Sequence, residues 1–284
     1  MKPVGRAWAS GKLILAGEHA VVHGQPAIAF AVDLGSTVEI TARPGPTAID
    51  GPIQDPKLTQ AVRMVVGDHG YGVSIASTLP IGRGMGSSAS LAVAIVRAWA
   101  DLTEQPLDTF DAAMPLERLF HQNPSGVDVA VITRGGVLRY QRTVPPTMSS
   151  LPCPSWTAVV IDTGKVGVTA DLVAGVTSRR PAIDPILARI GALVDEATTV
   201  LHDPAALGPL LLENHTLLAQ IGVSTPQLDE LVGMAMAHGA YGAKLSGAGG
   251  GGVVLALTDD PAPIVAGAEA FGLRAWITRP VEAP

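Results

Sequence analysis

The feature that most constrains this chain is a glycine-rich segment that leads directly into a helix. Residues 80–90 read PIGRGMGSSAS, and the small and apolar residues that follow predict a helix over residues 87–102. Glycines at 82, 84 and 86 lack the side chains that would hold a backbone away from a bound anion. The free N–H groups and positive dipole end of a helix N-terminus attract negative charge. This glycine loop, residues 82–86, therefore predicts a phosphate-binding site.

The glycine loop differs from the two common nucleotide-binding loops. Its glycines alternate with single residues, so it lacks the two-residue gap of the dinucleotide fingerprint. The pair Gly11-Lys12 is followed by Leu13, where a P-loop has the Ser or Thr that binds magnesium. On its own the segment is also compatible with a flexible turn packed against a small-residue helix, because short glycine motifs produce false positives.

Composition sets the broad class of the protein. The chain has 284 residues, of which 47% are hydrophobic and 15% charged, and its formal net charge is −6. These values indicate a globular protein and exclude a disordered one. The negative balance, without a stretch of clustered Lys and Arg, argues against nonspecific binding to nucleic acid.

The compartment is predicted from cysteine and apolar-run content. The single cysteine, Cys153, cannot form an intramolecular disulfide, which fits a reducing compartment. No uninterrupted apolar window of about 18 residues occurs in the sequence. We therefore expect a cytoplasmic protein without a membrane span.

Strands and helices alternate irregularly along the chain, without an internal repeat, which indicates an α+β protein. Apolar runs and alternating patterns predict strands, and amphipathic patterns predict helices. The predicted strands are 12–16, 27–32, 36–42, 71–79, 136–140, 157–161, 241–246, 252–257 and 273–278, and the predicted helices are 57–69, 87–102, 183–202, 204–220 and 260–271. A further helix is predicted to begin near Ser125, after Pro124, with Asp128 in its first turn.

Prolines mark a candidate boundary between two domains. Pro145-Pro146 and Pro152-Cys153-Pro154 form the best linker candidate in the chain. We therefore divide the chain into an N-terminal domain, residues 1–150, and a C-terminal domain, residues 151–284.

Two further segments support the phosphate-binding interpretation. Residues 9–24 read ASGKLILAGEHAVVHG, and residues 243–252 read AKLSGAGGGG. Together with residues 80–90, they resemble the three signature motifs of the GHMP kinases, the small-metabolite kinases that include galactokinase, homoserine kinase, mevalonate kinase and phosphomevalonate kinase. The motifs stand in the expected order, and the resemblance spans nearly the whole chain.

Within this family, residues 17–24, 117–128 and 221–229 resemble the mevalonate kinases more than the other members. The resemblance implies a two-domain α+β fold, with the active site in the cleft between an N-terminal α/β domain and a C-terminal ferredoxin-like α+β domain. It implies phosphorylation of the 5-hydroxyl of mevalonate in isoprenoid biosynthesis, with ATP as co-substrate and Mg²⁺ as cofactor. The expected partners are ATP and mevalonate, with no nucleic acid and no membrane, and a homodimer is left open.

The resemblance assigns the catalytic roles to Asp128 and Lys12. Asp128 would be the general base that accepts the proton of the acceptor hydroxyl. Its structural alternative is an Asp that stabilises a helix dipole by about 0.3–1 kcal/mol. Lys12 lies in an apolar run, where a charge is costly unless it pairs with an anion. The family places it beside the Asp, where it would stabilise transition-state charge, and its alternative is a charge that protects a strand edge.

The phosphates and the metal have their own candidates. Glu117 and Ser88 match the family's magnesium ligands, and one carboxylate, one hydroxyl and the phosphate oxygens of ATP suffice for such a hard ion. Without the resemblance, Glu117 is a solvated helix charge, and Ser87 and Ser90 are helix caps. The predicted ATP phosphate-binding residues are Gly82, Gly84, Met85, Gly86, Ser87 and Ser88.

The acceptor is expected to contact a third group of residues. His19 would donate to a carboxylate or hydroxyl of the acceptor, and its alternative is a structural, hydrogen-bonded histidine. The second glycine loop, residues 247–252, is expected at the cleft floor, with packing between domains as the alternative. The predicted substrate-binding residues are Lys12, Glu18, His19, Thr169, Gly247 and Ala248.

Three positions depart from the family pattern and leave the acceptor open. Ser10 stands where Pro is common, Gln122 interrupts the usual His-Gly-Asn, and Val129 stands where Asn often follows the Asp. Because Gln122 and Val129 flank the expected acceptor pocket, they bear on which substrate is accepted.

Two alternatives to a mevalonate kinase follow. One is another GHMP kinase that acts on phosphomevalonate or a sugar, where a phosphorylated acceptor calls for extra cations such as Arg83, Lys165 and Lys244. The other is a non-catalytic sensor of nucleotide or metabolite, which would be expected to have lost the base or a metal ligand.

Overall fold

Two β-sheets organise the chain in a computed structural model that describes residues 2–51, 55–121, 124–167 and 169–282. Within the described residues, the first sheet has six strands in the order β3-β4-β2-β5-β6, with β1 paired to β2, and all its pairings are antiparallel except β3 with β4. Its strands are β1 (Val4–Ala16), β2 (Pro26–Pro46), β3 (Ala48–Asp50), β4 (His69–Ser77), β5 (Val137–Gln141) and β6 (Thr147–Leu151).

The second sheet belongs to the C-terminal half and is antiparallel. Its order is β10-β7-β9-β8. Its strands are β7 (Thr157–Asp162), β8 (Gly242–Ser246), β9 (Val253–Thr258) and β10 (Ala275–Thr278).

Helices pack against both sheets. Those of the N-terminal half are α1 (Pro56–Val66), α2 (Ser87–Thr103), α3 (Thr109–Phe120) and α4 (Val127–Arg134). Those of the C-terminal half are α5 (Thr169–Ser178), α6 (Asp184–Thr199), α7 (Pro204–Gln220), α8 (Pro226–Ala237) and α9 (Ala262–Ala270). A 3-10 turn, Ala20–His23, follows β1. Among the described residues, none of the helices combines the length and apolar character that crossing a membrane would require.

The apolar runs of β1 and β2 are buried on both faces, which explains why they do not alternate. On one face, Ile14 and Ala29 pack with Val93 of α2 in the N-terminal core. On the other, Leu13 and Phe30 join a core that also contains residues of β7, β9, α6 and α7. The two halves of the chain therefore share one layer of apolar contact.

Trp156 anchors this shared core. Its ring meets Phe30 edge-on, with ring centroids 5.3 Å apart, and its Nε1 donates a 2.8 Å hydrogen bond to the carbonyl of Leu201. The proline-rich segment before it is not wholly a linker, because β6 ends at Leu151 and pairs with β5 of the first sheet. The domain boundary near residue 150 stays a prediction.

The predicted α+β class is confirmed, and most predicted elements are present with shifted ends. The strands predicted at 27–32 and 36–42 are one long strand, β2, whose pairing with β1 changes register between Ser10 and Gly11. The helix predicted to reach residue 69 ends at Val66, because Gly67 adopts a φ of +90°. Three helices, α3, α5 and α8, were not predicted. In α3 the interior Pro115 concealed the helical pattern, because proline usually ends a helix.

Candidate active site

A cavity of about 870 Å³ lies between the two halves of the molecule. The glycine loop, β1, α3 and α4 contribute to one side, and α5 and the second glycine loop contribute to the other. Met85 is instead buried in the core shared by the two halves, and the side chain of Thr169 lies outside the described part of the chain. The predicted site residues that line the cavity are Lys12, Glu18, His19, Gly82, Gly84, Gly86, Ser87, Ser88, Glu117, Asp128, Gly247 and Ala248.

The glycine loop has the backbone that only glycine adopts readily. Gly82, Gly84 and Gly86 have φ values of +72°, +79° and +74°. Gly86 is the N-cap of α2, and no side chain caps this helix end. The first backbone N–H groups of α2 therefore lie at the cavity and donate to no capping side chain. Such free donors are what an anion site at a helix N-terminus requires.

The second glycine loop is pressed against the first. A Cβ on Gly84 would lie 3.2 Å from the carbonyl oxygen of Ser246, and a Cβ on Gly252 would lie 3.0 Å from that of Arg83. The buried Ser246 hydroxyl accepts a 3.0 Å hydrogen bond from the N–H of Ile14 and donates one of 3.0 Å to its carbonyl. The glycines thus allow the two glycine loops to approach each other closely, and this contact forms the floor of the cavity. The second glycine loop therefore both borders the cavity and packs the two halves of the chain together.

Lys12 and Asp128 form an ion pair inside the cavity. The Lys12 Nζ lies 3.1 Å from Asp128 Oδ2 and donates a 3.0 Å hydrogen bond to the carbonyl of Gly84. The Lys12 side chain is 3% exposed, so it does not protect an open strand edge, whereas Asp128 is 27% exposed. Asp128 occupies the first turn of α4, two residues after the N-cap Gly126. The pair ties the glycine loop to the start of α4.

Glu117 is a buried acid beside the start of α2. The Ser88 hydroxyl donates a 3.1 Å hydrogen bond to Glu117 Oε1, and His121 Nε2 lies 3.2 Å from Ser88 Oγ. Burial raises the pKa of Glu117 to about 8, and the negative charge of Asp128 adds to the rise. Because its side chain is only 3% exposed, the alternative of a solvated helix charge is excluded.

The donor set around Glu117 fits a hard divalent cation. Its Oε2 is buried and has no hydrogen-bond partner among the described residues, and Ser88 places a hydroxyl oxygen beside the same carboxylate. The described residues contain no group of three or more His, Cys, Asp or Glu that would enclose a metal. Such an open site suits Mg²⁺, which keeps waters and takes phosphate oxygens as ligands.

Glu18 and His19 lie between the end of β1 and the 3-10 turn Ala20–His23. Glu18 is buried in an ion pair with Lys244, and its Oε2 accepts a 3.0 Å hydrogen bond from Asn214. His19 Nε2 donates to the carbonyl of Ala248 at 2.8 Å. Burial lowers the pKa of His19, so the ring is neutral and its Nδ1 is left without a partner among the described groups.

Sequence reasoning missed several partners of these residues. Asn214 and His215 lie in the middle of α7, where nothing in the helical pattern distinguished them. His215 accepts a 3.3 Å hydrogen bond from the N–H of Leu245, and its other ring nitrogen lies 3.0 Å from Asp229. Asp229 is the last residue of segment 221–229, for which the sequence predicted no role. The segment therefore orients His215, which in turn contacts the backbone of β8.

The cations expected for a phosphorylated acceptor do not reach the cavity. Arg83 pairs with Asp162 at 3.2 Å, and Lys244 is buried with Glu18. Lys165 is exposed and is not part of the described lining. The cationic side chains that do line it are Lys12 and Lys57.

A glycine loop at an uncapped helix N-terminus, a buried acid whose surroundings suit magnesium and a lysine-paired aspartate line one cleft. A kinase that acts on small molecules requires components of these kinds. The model of the GHMP kinase N-terminal domain matches residues 57–136, and that of the GHMP kinase C-terminal domain matches residues 192–276. The chain belongs to the GHMP kinase family, which confirms the resemblance found in the sequence.

The similar proteins include several mevalonate kinases. Those of Thermococcus sibiricus and Pyrococcus abyssi are each 36% identical to this chain, over 89% and 88% of both proteins, respectively. The crystal structure of L. major mevalonate kinase in complex with R-mevalonate is 29% identical, covers 100% of this chain and 99% of that chain, and gives a TM-score of 0.86.

Proposed function

We propose that this protein is an ATP-dependent kinase that phosphorylates the 5-hydroxyl of mevalonate, giving phosphomevalonate for isoprenoid biosynthesis. The observation that carries the proposal is the Lys12–Asp128 pair, which lies in the same cavity as the glycine loop. The mevalonate kinases that are 36% identical over most of their length support the choice of acceptor.

Asp128 would act as the general base. It accepts the proton of the acceptor hydroxyl as the oxygen forms a bond to the γ-phosphorus, while the bond from that phosphorus to the leaving ADP oxygen breaks. Lys12 keeps the carboxylate in place and lies close to the charge that develops on the transferred group. The glycine loop supplies amides to the terminal phosphates.

Glu117 and Ser88 would hold the magnesium ion. When bound, Mg²⁺ neutralises phosphate charge and orients the nucleotide. The protein's contribution is an unpartnered buried carboxylate oxygen and a hydroxyl beside it. Both face the cavity that the glycine loop borders.

His19 and the second glycine loop would orient the acceptor. Because Nε2 of His19 is already donating to Ala248, its Nδ1 accepts rather than donates. It would therefore receive a hydrogen bond from an acceptor hydroxyl, in place of the donation expected from the sequence. Gly247, Ala248 and Thr169 remain predicted contacts, while Glu18 would position this turn through Lys244.

The lining favours an acceptor without a phosphate group. Arg83 and Lys244, two cations that a phosphorylated acceptor would recruit, are paired elsewhere with Asp162 and Glu18. This supports mevalonate over phosphomevalonate. The cytoplasmic location and a homodimer stay predictions from the sequence.

Release of ADP across a substrate panel tests the proposal. The purified protein is incubated with ATP, Mg²⁺ and, in turn, mevalonate, phosphomevalonate, galactose and homoserine. We expect turnover with mevalonate at least about tenfold above the others. A higher rate with phosphomevalonate or galactose would contradict the acceptor. Nucleotide binding without ADP release on any acceptor would favour the sensor.

A further inference from the structure

We propose that Tyr140 is a positioning residue for Asp128 and that its hydroxyl fixes the turn from which the aspartate is presented. The inference rests on the proposed role of Asp128 as the base. Tyr140 lies on β5, outside the residues that line the cavity, so it acts through the turn at residues 125–126 and not on the substrate.

The contact is a single short hydrogen bond to the turn. The Tyr140 hydroxyl donates to the carbonyl oxygen of Ser125 at 2.7 Å. The ring is 2% exposed and belongs to the N-terminal core, so its position is set by packing. Burial raises the pKa of the phenol, which keeps it protonated and able to donate.

The next residue shows how tightly the hydroxyl abuts the turn. Gly126 has a φ of +91°, and a Cβ at this position would lie 2.5 Å from the Tyr140 hydroxyl oxygen. From the other side, the carbonyl of Gly126 accepts the 3.0 Å hydrogen bond from Ala130 that opens α4. The turn is therefore held between a rigid strand and the helix that begins with Val127.

Asp128 is the second residue of that helix, two positions beyond the turn. Its carboxylate meets Lys12 at 3.1 Å, and the Lys12 Nζ is in turn held by Gly84. A shift of the turn would move the carboxylate relative to both. Small displacements of a reacting group reduce rates strongly, since a misplacement of about 1 Å costs about 100-fold.

The test is a double-mutant cycle on phosphoryl transfer. Single-turnover rates with saturating Mg-ATP and mevalonate are measured for the native protein, Tyr140→Phe, Asp128→Asn and the double variant. We expect Tyr140→Phe to lower the rate about tenfold, with KM for both substrates within about twofold. In the Asp128→Asn background the same change should alter the rate less than about twofold, because the two residues act as one unit.

Tyr241→Phe is the matched control. It also removes a tyrosine hydroxyl that donates to an oxygen, here Asp259, but on the exposed surface of the C-terminal half. We expect native rates from it. Should Tyr140→Phe fail to fold, Gly126→Ala disturbs the same contact from the turn, and we expect the same loss of rate and the same non-additivity.

Three results would overturn the inference. If Tyr140→Phe had the native rate while Asp128→Asn was slow, the positioning role of Tyr140 would be wrong and the proposed role of Asp128 as the base would stand. Equal losses from Tyr140→Phe in both backgrounds would show that it acts independently of Asp128. A native rate for Asp128→Asn would remove the proposed base, and this inference with it.

Discussion

The ammonium of Lys12 lies 3.1 Å from the carboxylate of Asp128, and both side chains line the cavity beside the glycine loop. Lys12 is nearly fully buried, and its Nζ also donates to the carbonyl of Gly84. A buried lysine with two such acceptors is held in one place and orders both the base and the phosphate loop. The pair is therefore the structural centre of the proposed reaction.

Replacing Lys12 by Met should lower kcat at least about 100-fold, because it removes a fixed charge near the transferred phosphoryl group. The affinity for an ATP analogue should fall much less, since the amides of the glycine loop remain. Steady-state kinetics and calorimetric binding measure the two effects. Lys165→Met, at an exposed position outside the described lining, is the control. A kcat within threefold of native would contradict this role.

Replacing Gly84 by Ala should weaken ATP binding about tenfold or more. The new methyl would lie 3.2 Å from the Ser246 carbonyl in a backbone with a φ of +79°, so the glycine loop would have to move. Gly70→Ala separates crowding from backbone strain, because Gly70 has a φ of +100° but a Cβ there meets nothing within 4 Å. Equal KM values for ATP in both variants would show that the close approach is unimportant.

Replacing Ser246 by Ala should destabilise the protein, because the N–H and the carbonyl of Ile14 both lose a buried partner. Each unsatisfied group costs about 1–3 kcal/mol, so we expect a loss of at least about 2 kcal/mol in the free energy of unfolding. Urea denaturation measures it. Ser149→Ala, at an exposed position in β6, should change stability by less than about 0.5 kcal/mol. Indistinguishable midpoints would contradict the prediction.

The stability of the metal-free protein should depend on Glu117. Its pKa is raised from 4.5 to about 8, so between these values the folded protein keeps a proton that the unfolded chain has released. The free energy of unfolding then falls as pH rises through this window, by at most about 1.4 kcal/mol per pH unit from this group. Below pH 4.5 Glu117 is protonated in both the folded and the unfolded state, so it does not lower the free energy of unfolding there.

Glu117→Gln isolates that contribution. Urea denaturation in EDTA at pH 5, 6.5 and 8 should show a stability advantage of the variant that grows with pH, since the amide cannot ionise. His19 and His215 are present in both proteins and cancel in the difference. His121 contacts Glu117 Oε1 at 3.4 Å and does not cancel, so both proteins carry His121→Gln. A difference that stays flat between pH 5 and 8 would contradict the raised pKa.

The sequence predicted the parts of the site that are coded locally. The glycine loop and the helix behind it needed only residues 82–102, and α2 begins at Ser87 as expected. Lys12 stood out because a charge in an apolar run calls for a buried anion. Glu117 and Asp128 needed the family resemblance, since an acid on a helix has many ordinary roles.

The remainder depends on contacts between distant parts of the chain. Glu18 contacts Asn214 and Lys244, which lie in helix α7 and strand β8, and no local sequence pattern of either residue indicates a contact with Glu18. In the sequence, Tyr140 is an ordinary residue of a predicted strand, and only the fold shows that its hydroxyl bonds to the carbonyl of Ser125. The merging of two predicted strands into β2 likewise follows from pairing with β1, not from local preference.

The most direct test of the account is the rate of phosphoryl transfer by Asp128→Asn. Rapid-quench measurement with saturating Mg-ATP and mevalonate should show a rate at least about 100-fold below native, while the Kd for ATP stays within about twofold. Asp195→Asn, which breaks an exposed pair with Arg139, should keep the native rate. A native rate in Asp128→Asn would contradict the assignment of the base and of the reaction centre built around it.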